Sequence, residues 1–192
     1  MDPDFETSAA RVVDGLVMAD EEHALLSTEA SPGALLARVV ESLAQAAFGL
    51  SLLERPAKST EAEVPTHEEL AARFGMVAAR ALGAAARVHP GVRDDPPTDV
   101  KDRLLAVVDQ DAQAWIDQHP NYGRHSLDYF LRTVLALMTG AAAAVADLEE
   151  EGGASVQRED EDPAEVYGDS LLQVAAAAAV AIERLLGAEG SD

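Results

Sequence analysis

The sequence predicts an all-α protein, and three observations carry that prediction. Hydrophobic residues make up 48% of the 192 residues, whereas aromatic residues make up only 4%, so the apolar mass is mainly Ala, Leu and Val. Ala and Leu are among the strongest helix formers. Apolar residues recur at spacings of three and four, and the alternation typical of half-buried strands is missing. We therefore predict a six-helix bundle.

The first three predicted helices each begin at a residue that suits a helix N-terminus. Asp2 caps a helix that we place at residues 3–26, and Ser31 caps a second helix at residues 31–54. Thr66 and Glu69 have the spacing of a capping box, in which each side chain accepts a hydrogen bond from an exposed backbone N–H. This box predicts a third helix that ends before Pro90.

The second half of the chain repeats this pattern after a stiff connector at residues 94–97, which reads Asp-Asp-Pro-Pro. We predict a fourth helix at residues 98–118, a fifth at 126–148 and a sixth at 162–187. The connector divides the chain into residues 1–93 and 94–192, two three-helix units that we expect to pack as one globular domain.

Residues 133–146 of the fifth predicted helix carry no charge. A helix that is apolar on every side is expected to be buried on every side, which predicts that this is the central helix of the bundle. The Ala-rich faces of the fifth and sixth helices also exceed what one small bundle needs to bury. We therefore predict a homodimer through these faces, disrupted by Asp at Ala144 or Ala178.

The charge of the chain limits its partners. The net charge of −21 comes from 35 acidic and 14 basic residues. Such a protein repels nucleic-acid phosphates and anionic membranes, so we expect neither as a partner. A basic protein or a divalent cation would suit this charge, and the alternative is that it serves solubility alone.

The chain contains no cysteine, which excludes disulfides and thiolate metal sites. Its N-terminus is acidic and does not resemble a signal peptide. No uncharged apolar run reaches the roughly 20 residues that a membrane span requires. We expect a cytoplasmic protein.

The two halves also show sequence similarity to each other. Residues 10–15, ARVVDG, correspond to residues 105–110, LAVVDQ, and the motif at residues 65–69 corresponds to residues 163–165. The order of elements is the same in both halves. This similarity predicts an internal repeat of three helices, although Ala-rich helices also resemble one another by composition.

Residues 35–40 resemble the approach to an E-E-x-x-E motif, and residues 66–77 and 165–171 resemble an E-x-x-D motif. Through these residues each three-helix unit resembles the MazG-like all-α nucleotide pyrophosphohydrolases, of which these are the first and second motifs. The resemblance implies acids that point inward from facing helices and hold Mg²⁺ for attack on a nucleoside triphosphate.

The acids of those motifs are largely replaced in this chain. The corresponding positions hold Ala44, Gln45, Phe48, Arg73 and Met76 in the first half, and Met138, Thr139, Ala142, Val166 and Asp169 in the second. A hard divalent cation requires several oxygen ligands, and among these side chains only Asp169 is an acid. The resemblance therefore implies a member that has lost the chemistry, with apolar side chains between its helices.

Two groups of polar residues are candidate sites. Glu150, Glu165 and Asp169 belong to an acidic hairpin that would bind Mg²⁺ or Ca²⁺ if its two arms face each other, and is otherwise a solvated hairpin end. The second group has two histidines and two carboxylates, which suit Zn²⁺, although the same residues are common at helix ends. Its members are Asp117, His119, His125 and Asp128.

The sequence thus favours a non-catalytic helical protein without a cofactor, which acts through binding or self-association. The first alternative is a metal-dependent nucleotide pyrophosphohydrolase with Mg²⁺ at the acidic hairpin. The second alternative is a small-molecule-binding regulatory domain, although no basic helix-turn-helix accompanies it.

Overall fold

In a computed structural model of the chain, the described residues are 30–54, 64–88, 106, 110–112, 114, 127–149 and 162–188. Nearly all of these residues are helical, and no strand occurs among them, so the all-α prediction is confirmed. The predicted first helix, residues 3–26, lies outside the described residues. Of the predicted fourth helix, only residues 106, 110–112 and 114 are described, and their backbone is helical.

Four helices are described over their whole length. They are α1 (Pro32–Glu54), α2 (His67–Val88), α3 (Leu127–Glu149) and α4 (Pro163–Ala188). These bounds agree within one residue with the predicted second, third, fifth and sixth helices. Because the signals at their ends are local in sequence, such agreement is expected.

The predicted N-terminal caps at Ser31 and Thr66 are confirmed, and Asp162 caps α4. The Ala34 N–H donates to Ser31 Oγ at 3.3 Å, and the Ala164 N–H donates to Asp162 Oδ1 at 2.9 Å. At α2 the capping box is complete: the Glu69 N–H donates to Thr66 Oγ1, and the Thr66 N–H donates to Glu69 Oε2. Each contact satisfies a backbone donor that the helix itself leaves unpaired.

Contacts between helices show that neighbouring helices are antiparallel. Arg80 of α2 donates to the Arg38 carbonyl oxygen, whereas Arg73, earlier in α2, donates to the later Gln45 carbonyl oxygen. Glu149 at the end of α3 contacts Gly33 at the start of α1. The same reversed order relates α3 to α4, in which Phe130 lies 5.9 Å from the Arg184 guanidinium and Gly140 lies beside Ser170.

The four helices therefore surround one core in the spatial order α1, α2, α4, α3. The diagonal pairs are parallel, and Tyr167 near the start of α4 contacts Pro32 at the start of α1. As a result, the end of α2 and the start of α3 lie at opposite ends of the bundle. Residues 89–126 connect those two ends.

Among the described helices, α4 is the central one, and the prediction that residues 126–148 form the central helix is wrong. All residues from Val174 to Ile182 in α4 are buried, and α4 packs extensively against both α2 and α3. In contrast, α3 buries one side, which includes Phe130, Val134 and Ala141, and leaves Leu135 56% exposed.

The physical reason for this error is the small size of alanine. Exposing a methyl group to water costs little, so a run of Ala does not require burial on every side. The burial of individual alanines also corrects the predicted dimer residues. Ala144 is only 4% exposed and Ala178 is 0% exposed, so both belong to the core of the bundle.

Candidate binding surface

The predicted cation site is not assembled by the described residues. Glu165 and Asp169 are both exposed on α4, and Glu150 lies outside the described residues. Within the described ranges, no group of three or more His, Asp or Glu side chains could hold a metal ion. The second predicted site is not tested, because Asp117, His119 and His125 lie outside the described residues and only the helical backbone of Asp128 is described.

Glu149, on the α3 side of the acidic hairpin, contacts α1 instead. Its Oε1 accepts a hydrogen bond of 2.9 Å from the Gly33 N–H, which is one of the unpaired donors at the start of α1. The Ser31 hydroxyl and this backbone N–H hold the pKa of Glu149 below its ordinary value of 4.5. The carboxylate thus stabilises the N-terminus of α1, where the helix dipole favours negative charge.

Glu149→Gln is expected to lower stability at neutral pH and to have no effect in acid. Because the folded-state pKa is lowered, the contribution of the carboxylate is complete above pH 4.5 and is lost as the pH falls below that value. The measurement is the urea midpoint of both proteins between pH 7 and pH 3. A difference that stays constant over this range would contradict the assignment.

Tyr167 completes the contact between the starts of α1 and α4. It is buried, and its hydroxyl donates to the Pro32 carbonyl oxygen at 3.0 Å. Burial, and secondarily the charge of Glu149, raise the pKa of this hydroxyl, so it stays neutral and keeps its donor proton. Sequence reasoning missed this contact because nothing local distinguishes Tyr167 from the other apolar residues of α4.

A pair of carboxylates at the side of α4 was also missed. The pKa of Asp111 is raised, first by partial burial and second by the nearby charge of Asp169. Asp169 was the one acid retained in the MazG-like pattern. Asp111 lies in the predicted fourth helix of the same three-helix unit. The two residues are 58 positions apart (169 − 111), so only the tertiary structure brings them together.

The positions of the first MazG-like motif are distributed differently from the expectation. Ala44, Gln45 and Phe48 on α1 and Thr139 and Ala142 on α3 are exposed, whereas Met138 is buried. The expectation that apolar side chains at these positions fill the space between helices is therefore wrong for Ala44, Phe48 and Ala142. They belong instead to an outer surface of the bundle.

That outer surface, here called the α1–α3 face, contains the three large apolar side chains of the two helices that are most exposed. Phe48 is 59% exposed, Leu135 is 56% exposed and Val40 is 49% exposed. Ala44, Thr139 and Ala143 are exposed between them on the same two helices. Large apolar groups exposed on adjacent elements are typical of interaction sites.

Contacts on the other sides of α1 and α3 indicate how this face is oriented. Arg38 lies on the side of α1 that contacts α2, and Val40 is about 160° away from it around the helix. Gly140 lies on the side of α3 that contacts α4, and Leu135 is about 140° away from it. Val40 therefore points away from α2, and Leu135 points away from α4, so both lie on the outside of the bundle.

The α3 part of this face is neutral in a chain whose net charge is −21, because residues 133–146 contain no ionisable side chain. The hydroxyl group of Thr139 on this face also has a partner, because Thr139 Oγ1 donates to the Ala136 carbonyl oxygen. Another surface can therefore cover this donor at little cost in lost hydrogen bonds.

Two described helices, Pro32–Glu54 and Tyr129–Glu149, have the length and apolar composition of a membrane span. They are the two helices of the α1–α3 face, and less than half of each tested stretch is buried. Core helices of soluble proteins share these properties, so this observation is weak evidence for a membrane.

Comparison with protein-family models, with curated proteins and with solved structures finds no match to this chain. The functional argument therefore depends on the geometry of the described residues. Among them, the α1–α3 face is the feature best suited to binding. Sequence reasoning identified its uncharged stretch but assigned that stretch to the interior.

Proposed function

We propose that this chain is a non-catalytic helical protein that acts through self-association as a homodimer, with the α1–α3 face as its contact surface. The observation that carries the proposal is the exposure of Phe48, Leu135 and Val40 on adjacent helices. Covering apolar surface is the main driving force for most protein association. The proposal retains the predicted homodimer but moves its contact away from Ala144 and Ala178.

Charge favours a second copy over a basic protein on this face. A basic partner is attracted to acidic surface, whereas the middle of the α3 part of this face, residues 133–146, carries no ionisable group. Two copies of a chain with a net charge of −21 repel each other, and this repulsion is weakest where both surfaces are neutral. A basic protein that binds elsewhere on the molecule remains compatible with this proposal.

Leu135→Asp is expected to convert the dimer into a folded monomer. The substitution places a negative charge in an apolar contact and does not disturb the core, because Leu135 is 56% exposed in one chain. We expect the dimer dissociation constant to rise by at least about thirtyfold, since a central interface residue contributes about 2 kcal/mol or more. Sedimentation equilibrium measures this change.

Ala72→Asp is the matched control, because Ala72 is an exposed residue of α2 outside the α1–α3 face. It adds the same carboxylate to an exposed helix position, so its dissociation constant should match that of the wild-type protein. Equal weakening by both substitutions would indicate general charge repulsion. A wild-type protein that is monomeric at all accessible concentrations would exclude self-association.

A second candidate function is metal-dependent nucleotide pyrophosphohydrolysis. The pKa of Asp111 is raised by partial burial and, secondarily, by the charge of Asp169, and this influence between carboxylates of separate segments favours it. Glu150 and Glu165 remain its further proposed ligands. The test is thermal unfolding with nucleoside triphosphates, with and without Mg²⁺; an increase in Tm that requires the metal and is lost in Asp169→Asn would support it.

We also propose the six-helix arrangement and its origin as two tandem three-helix MazG-like units. The support is that α1 and α2 form one antiparallel hairpin and α3 and α4 form another, with α1 packed against α3 and α2 against α4. The described residues 106, 110–112 and 114 of the predicted fourth helix also have a helical backbone. Cysteine-free, acidic chains of this kind suit the cytoplasm, which is the proposed location.

A further inference from the structure

The exposed side of α3 is arranged so that it fits a second copy of itself in the antiparallel direction. Thr139 lies near the middle of this side, and Leu135 and Ala143 lie four residues before and after it. If two α3 helices cross antiparallel at Thr139, Leu135 of each copy faces Ala143 of the other. A large side chain then meets a small one on both sides of the crossing, which favours close packing.

The ends of the exposed side carry opposite charges. Arg132 is exposed one turn before Leu135, and Asp147 is exposed one turn after Ala143. In the antiparallel arrangement, Arg132 of each copy lies beside Asp147 of the other copy. In a parallel arrangement, Arg132 would meet Arg132 and Asp147 would meet Asp147, and both pairs would repel.

The sizes of the side chains and the charges at the ends of α3 therefore both favour an antiparallel arrangement of the two α3 helices. We propose that the homodimer forms around a two-fold axis that passes near Thr139, with the two α3 helices antiparallel and Arg132 paired with Asp147 of the second copy. This inference depends on the proposed self-association and adds the arrangement of the partner and the residues that specify it. The contact is isologous, as is usual for a closed dimer.

The absence of cysteine from the chain allows a direct test by crosslinking. Thr139→Cys places one thiol from each copy near the axis, so a short bis-maleimide is expected to crosslink most of the dimer. In Ala146→Cys the two thiols lie about 21 Å apart along the helices, because each is seven residues from the axis. That variant is expected to remain largely uncrosslinked.

The crosslinking outcomes distinguish this arrangement from the alternatives. Efficient crosslinking of both variants would show parallel helices and overturn the inference. Crosslinking of neither variant in a protein that sediments as a dimer would place the contact elsewhere, and would overturn the inference while self-association stands. A monomeric wild-type protein would overturn both, and residues 1–29 or a different protein would then be the occupants of this face.

A charge exchange gives a second, independent test. Arg132→Glu alone and Asp147→Arg alone are each expected to raise the dimer dissociation constant by about tenfold at low salt, since two symmetry-related pairs are changed. The double variant restores both pairs in reversed order and is expected to return close to the wild-type value. A double variant that is weaker than either single variant would contradict the antiparallel pairing.

Discussion

Ala178→Asp is expected to unfold the protein at room temperature, rather than to separate a folded dimer into monomers. Ala178 is 0% exposed and lies within the fully buried stretch of α4. A carboxylate at this position would lose its hydration without gaining a hydrogen-bond donor or an opposite charge as a partner. This loss costs several kcal/mol even after local relaxation. Because a domain of this size is stable by only about 5–15 kcal/mol, this is a large part of the total.

Circular dichroism during thermal unfolding measures this effect. The wild-type protein is expected to show a cooperative loss of helix, and Ala178→Asp is expected to show a much lower Tm or no cooperative transition. Ala72→Asp again serves as the control, because it adds the same side chain to an exposed helix position. A variant Ala178→Asp with the wild-type Tm and half the mass would instead support an interface at α4.

Phe74→Ala is expected to lower the free energy of unfolding by about 3–5 kcal/mol, which is the usual cost of truncating a buried aromatic side chain. Phe74 is 0% exposed in α2 and is among the largest fully buried side chains described. The loss combines the transfer energy of the ring with the cavity that remains. Urea denaturation provides the measurement, provided that the variant still folds.

The chain offers a matched control for this substitution in Phe48. Phe48→Ala removes the same atoms from a side chain that is 59% exposed, so the free energy of unfolding of the monomer should change by less than about 0.5 kcal/mol. Its effect should appear instead in the dimer dissociation constant. Equal destabilisation by the two substitutions would contradict the assignment of Phe48 to the surface.

The helices and their starts could be predicted from the sequence because their signals are local. Ser31, Thr66 and Asp162 each act on backbone donors within three residues, as the capping contacts confirm. The spacing of apolar residues likewise identifies which segments are helical. Neither signal depends on how one helix is placed against another, so both can be read without the tertiary structure.

The candidate sites were less predictable, because they depend on residues that are distant in sequence. Glu149, which adjoins the predicted cation ligand Glu150, accepts a hydrogen bond from Gly33, 116 positions away. The pairing of Asp111 with Asp169 and the contact of Tyr167 with Pro32 likewise join segments that are distant in sequence. No local sequence pattern predicts these interactions.

The sequence by itself determined that this protein is all-α, where four of its helices begin and end, and that residues 133–146 are neutral. The tertiary structure decided which neutral surface is covered. Both α3 and α4 are rich in Ala, but α4 lies between α2 and α3 and is buried, whereas one side of α3 stays exposed. Alanine is compatible with either environment, because its small side chain gains little from burial and fits close packing. Its place in the bundle therefore depends on which helices surround it.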